Sequence, residues 1–156
     1  MVDNTLHSLC KFKEAKVPYR EKTAWLSLFA MAVTFGPYFT IVAMGSLPGA
    51  LPNLRQLGLF AAAAILQMLI LGVGHLYLRH GSPDDARTPL DERDRTIISR
   101  SISSAYYVLI VGMILVGCVM PFRSSGWSII NAALAMIVGA EVVHYGVVVL
   151  SYRRQA

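Results

Sequence analysis

An all-α membrane protein of four transmembrane helices, with both termini in the cytoplasm, is the fold this sequence predicts. Three observations predict it. The first is a set of long runs without Asp, Glu, Lys or Arg, at 23–54, 56–78 and 101–122, and a fourth, 124–152, interrupted only by Glu141. A bilayer core takes about 20 apolar residues per helix and offers the backbone no hydrogen-bond partner, so each run reads as one helical span. The second is composition: 55% of residues are hydrophobic and only 15% charged, with a mean hydropathy of +0.54. A soluble domain of this size carries far more charge. The third is the placement of the 14 basic residues, of which only Arg55 and Arg123 fall on the side opposite the rest. Basic residues mark the cytoplasmic side, so both ends and the middle connector belong there.

The whole chain, 1–156, is expected to form one membrane domain, because four helices and their connectors use up its length. It begins with a basic cytoplasmic segment, 1–22, carrying Lys11, Lys13, Lys16, Arg20 and Lys22. This segment has no apolar stretch of the kind that precedes a cleavage site, so the first span is expected to direct insertion. Together with Arg153 and Arg154, its basic residues read as anchors facing anionic lipid. That placement accounts for the net charge of +5 without direct nucleic-acid binding.

Span one is expected at about 24–46, with Trp25 in the interfacial belt and Gly36-Pro37 near the middle, where the missing N–H predicts a kink. Pro48, Gly49 and Pro52 predict a turn over 47–53, and span two follows at about 54–78. His75 is expected near the interface, and His80 in the connector, 79–98. Span three should cover about 99–120 and span four about 127–151, with a connection at 121–126 short enough to make them antiparallel neighbours. Gly72 with Gly74, and Ala135 with Gly139, are expected to permit close helix approach, whereas Ser101, Ser103 and Ser104 can bond to their own helix or across to another. Cys10 and Cys118 fall on opposite sides of the membrane, which excludes a disulfide between them.

Asp91, Glu92, Arg93, Asp94 and Arg95 lead into span three. Asp91 suits an N-cap, Asp94 three residues on approximates a capping box, and Asp91 with Arg95 is an i,i+4 pair. A helix from Asp91 to Met120 would be about 45 Å long, so its first turns should project from a core of about 30 Å. The plain reading is a capped, solvated helix start. The sharper one is a docking surface for a cytoplasmic partner.

Glu21-Lys22-Thr23-Ala24-Trp25, Asp91-Glu92-Arg93-Asp94-Arg95-Thr96-Ile97 and Tyr152-Arg153-Arg154 occur together in this chain. In that combination it resembles a family of uncharacterised small four-span bacterial membrane proteins, related to families of unknown function that carry a DERD-type motif. The resemblance implies a bacterial cytoplasmic-membrane protein, frequently encoded beside a transcriptional regulator. It implies no reaction, cofactor or ligand set.

Glu141 is the residue whose position costs most. It stands 14 residues after Trp127 and 12 before Arg153, near the bilayer midplane, with His144 one turn on. The expectation is a neutral carboxyl facing span two or three, hydrogen-bonded to His144 or to a group such as Gln67. That pair would either specify packing or serve as a proton or cation relay. Glu-x-x-His is also half of a di-metal site, but no other span supplies a carboxylate, so no metal is assigned. Haem would need His75 and His144 at one depth, and they differ by about 7 Å. No phosphate loop or nucleophile–base set is present, so no catalytic residue or cofactor is assigned.

Two functions fit these residues. One is a non-enzymatic membrane component of a regulatory pair whose cytoplasmic face binds a soluble partner. The other is a small proton- or ion-coupled transporter using Glu141 and His144, which four spans could enclose only as a homo-oligomer.

Overall fold

In the computed structural model, residues 19–45, 53–81, 91–124 and 126–154 are described. Lys11, Lys13, Lys16, Cys10, most of the first loop, and Asp84 and Asp85 of the connector lie outside them. Four helices account for nearly all of the rest: α1 Tyr19–Ala43, α2 Leu54–Gly81, α3 Glu92–Ile114 and α4 Trp127–Arg153. α3 continues through a π turn, Leu115–Val119, and a 3-10 turn, Met120–Phe122, to make a 31-residue helical segment. Each of the four is long and apolar enough to cross a membrane.

The helices pack as a row in the order α2, α1, α4, α3. The α3–α4 interface is the most extensive, α1 packs on both α2 and α4, and α2 and α3 touch chiefly their single neighbours. The sequence could not order the helices. An open row leaves broad apolar faces uncovered, which lipid tolerates because its tails are as apolar as leucine. α2 makes the point: its buried residues are Gln56 and Gln67, while Met68, Val73 and Leu76 are well exposed. Gln56 and Gln67 face protein while these large apolar side chains face outward.

Local chemistry explains the helix ends. α1 stops where Gly45 takes φ +65°, a left-handed value that glycine adopts without strain. Its amide bonds the Val42 carbonyl at 3.1 Å. α2 starts at Asn53, whose Oδ1 accepts the Gln56 amide at 3.1 Å while its Nδ2 donates to Gln56 Oε1 at 3.3 Å. This is an Asn N-cap reinforced by a side-chain bond between the buried Asn53 and Gln56. The π turn in α3 falls just before Pro121, which brings no amide to continue the regular ladder.

Several boundaries differ from the sequence expectation. α1 begins at Tyr19, so Arg20 and Lys22 belong to its first turns and not to a separate segment, and it ends at Ala43, short of 46. α2 runs to Gly81, so His80 is helical and not in a loop, and its Nδ1 bonds back to the Leu76 carbonyl at 2.8 Å. At the start of α1 and the end of α2 the helix extends past its apolar window, because its backbone bonds do not depend on lipid.

Close helix approach was only partly legible. Gly74 does pack tightly, since a Cβ there would lie 2.8 Å from Leu26 Cδ1 on α1. Gly72 and Gly139 meet nothing within 4 Å, so they do not serve as contact points. The second tight approach is at Gly112, where a Cβ would lie 2.7 Å from Met136 Cγ of α4. Among the predicted serine bonds, Ser101 Oγ donates to the Ile98 carbonyl at 2.8 Å and Ser104 Oγ to that of Arg100 at 3.0 Å.

Candidate functional site

The three short motifs of the sequence converge at one end of the row. Asp94 of α3 accepts from the Tyr152 hydroxyl of α4 and pairs with the Arg20 guanidinium of α1. Glu21 of α1 is buried and lies 3.8 Å from Arg153 Nε, and the Arg153 guanidinium sits 5.1 Å above the Trp25 ring. Beneath these groups, Ala24, Ile97, Val148, Val149 and Tyr152 form an apolar cluster. The polar groups and the packing are one unit, a clasp across α1, α3 and α4.

The clasp changes the reading of several residues. Asp94 does not close a capping box; Asp91 caps the helix alone, accepting the Glu92 amide at 2.8 Å. Asp91 and Arg95 are linked through the backbone, Arg95 N–H to the Asp91 carbonyl at 3.0 Å, and no side-chain ion pair joins them among the described residues. Asp94 is partly buried because a guanidinium and a phenol from other helices reach it, a long-range partnership that outcompetes a local cap. Asp91, Glu92, Arg93 and Arg95 remain exposed on the same turns. Arg20 and Arg153 pair with protein carboxylates, whereas Lys22 and Arg154 carry no such contact among the described residues.

A second constellation went unread in the sequence. Tyr38 of α1 donates to Asn131 Oδ1 of α4 at 2.7 Å, and Gln56 of α2 is the other polar side chain on its hydroxyl. Further along α1, Thr34 Oγ1 and Gln67 Oε1 of α2 are 2.7 Å apart, with the hydroxyl also 2.8 Å from the Ala30 carbonyl. All five side chains are buried. Phe60 packs on Tyr38 and Phe35 at centroid distances of 5.6 and 6.0 Å. Trp127 Nε1 is buried without a partner among the described residues. Interhelical hydrogen bonds of this kind contribute about 0.6 kcal/mol each in membranes, so the seam sets helix register more than it adds stability. Single polar residues in apolar runs were its only signal, with nothing to show that they meet.

Glu141 is placed differently from expectation. Its side chain is exposed at the rim of a groove of about 390 Å³ between α3 and α4, lined also by Ile102, Tyr106, Leu109, His144 and Tyr145. It borders span three only at the groove and is exposed on the outer surface of the row, not turned inward against span two or three as expected. It makes no hydrogen bond to His144, and Gln67 is engaged by Thr34 on the far side of α1. His144 Nδ1 is buried without a partner among the described residues, and its ring packs edge-on against Tyr145 at 4.8 Å. Tyr106, 58% exposed, brings a hydroxyl to the same groove. The reason is topological: in an open row α4 has its outer side uncovered at this level, so a residue one turn from His144 need not face inward. No family model, curated protein or solved structure matches the chain.

Proposed function

We propose that this protein is a non-enzymatic component of a bacterial cytoplasmic membrane, with both termini and the α2–α3 connector cytoplasmic, and that it docks a soluble regulatory partner on the first turns of α3. The observation that carries the reading is the clasp. It binds Asp94 inward and so holds the start of α3 in one orientation, with Asp91, Glu92 and Arg95 turned outward on a helix too long for the membrane core. A preordered, mixed-charge helix start loses little entropy on binding. The resemblance noted in the sequence favours a transcriptional regulator as the partner.

The test uses the full chain in intact cells. A cysteine at Glu92 is expected to react with an impermeant maleimide only after the cytoplasmic membrane is opened, and one at Ser124 before it is opened. Photo-crosslinkers at Glu92 and Arg95 should trap the product of the neighbouring regulator gene, and Glu92→Arg with Arg95→Glu should abolish the adduct. Labelling of the Glu92 position from outside, or an adduct unaffected by charge reversal, would end this reading.

A specific observation supports a homo-oligomer as well. Glu141 stands exposed at mid-span, where a charged group costs several kcal/mol unless it is paired or shielded. A second copy meeting this groove about a two-fold axis brings its own Tyr106 and His144 to the same depth, polar groups without a side-chain hydrogen-bond partner among the described residues. Cysteines at Tyr106 are expected to crosslink copies within the membrane, and Glu141→Leu to lower that yield at least several-fold. Unchanged crosslinking in Glu141→Leu would remove Glu141 from the interface. The ion-coupled reading now depends on such an assembly, because the groove of one chain opens sideways and not along the helices.

A further inference from the structure

We propose that a cleft on the opposite side of the α3–α4 pair binds the phosphodiester of an acidic phospholipid. Arg100 of α3 and Arg154 at the end of α4 line this cleft together, with the Ser151 and Ser104 side chains between them and Val147 and Leu150 forming its apolar wall. Its two contiguous parts are about 140 and 230 Å³. This inference rests on the helices being membrane spans and is independent of the partner docking proposed above.

Charge and depth together select the ligand. Asp94 is taken by Arg20 and Tyr152, and Glu21 by Arg153, so these two carboxylates are engaged elsewhere. Arg100 and Arg154 have no ion-pair partner among the described residues. Two arginines lining one cleft beside the Ser151 hydroxyl fit a phosphate, which arginine recognises with paired N–H groups. Counting back from Phe122, Arg100 lies about 33 Å along the helix, at the headgroup level for a core of about 30 Å. Val147 and Leu150 continue the cleft toward the membrane interior, where an acyl chain would lie. A free phosphate shares the head chemistry but makes no use of that wall.

The experiment titrates the intact protein in mild detergent with phosphatidylglycerol, phosphatidylcholine and inorganic phosphate, reading bound lipid by native mass spectrometry. Phosphatidylglycerol is expected to bind in preference to phosphatidylcholine and to resist displacement by inorganic phosphate. Arg100→Gln or Arg154→Gln should each weaken phosphatidylglycerol about fivefold, and the pair on the order of 25-fold, the effect of about 1 kcal/mol per basic residue. Arg95→Gln and Arg123→Gln, outside the cleft, should leave binding unchanged. Equal binding of the two lipids by the unaltered protein overturns the proposal without need of any variant. Displacement by inorganic phosphate assigns the cleft to a free anion and overturns its lipid part. Unchanged affinity in a folded double variant overturns the site itself.

Discussion

Gly112→Leu is expected to separate α3 from α4 and to destabilise the protein by ~3 kcal/mol or more. The Cβ alone would fall 2.7 Å from Met136 Cγ and 3.0 Å from its Cβ, and these atoms lie too near the backbone of α4 to swing away. Overpacking a tight contact costs about 1–3 kcal/mol when the surroundings can yield, and the rest of a leucine adds to it here. Gly112→Ala should cost less, and Met136→Ala should recover much of that loss, because it removes the atoms the new methyl meets. Unfolding in mixed micelles checks the cycle. Equal stability of Gly112→Ala with and without Met136→Ala would refute the contact.

Asp94→Ala is expected to release the clasp, with a loss of about 2 kcal/mol. The Arg20 and Asp94 side chains are 27% and 20% exposed, so water screens the pair in part and the figure stays below that of a fully buried one. The Tyr152 hydroxyl loses its acceptor at the same time, directly above Ile97 and Val149. Asp94→Asn keeps the shape and an acceptor for Tyr152 and should fall between the two. In a double-mutant cycle Arg20→Ala and Asp94→Ala should be clearly less than additive. Additive losses would mean that the two residues do not act together. Partner binding should weaken in Asp94→Ala even though Asp94 faces inward, because the start of α3 is then no longer held in one orientation.

The four helices, their approximate ends and the α3–α4 pairing follow from the sequence alone. A bilayer demands about 20 apolar residues with every backbone group satisfied internally, and runs such as 56–78 meet that demand whatever lies beside them. Asp91 as a cap is equally local, needing only its own side chain and the next amide. The tertiary structure decided everything that joins one helix to another. Only the packing of α1 on α4 brings Tyr38 to Asn131, and only the three-helix clasp turns Asp94 from a capping residue into a bridge. Glu141 gives the same lesson in reverse. Its depth could be counted from the helix ends, but its facing could not, since 3.6 residues per turn settle which neighbours share a face and not what lies opposite. Helix order decides that, and with apolar residues on nearly every side of each span, the hydrophobic pattern that orders helices in water is silent here.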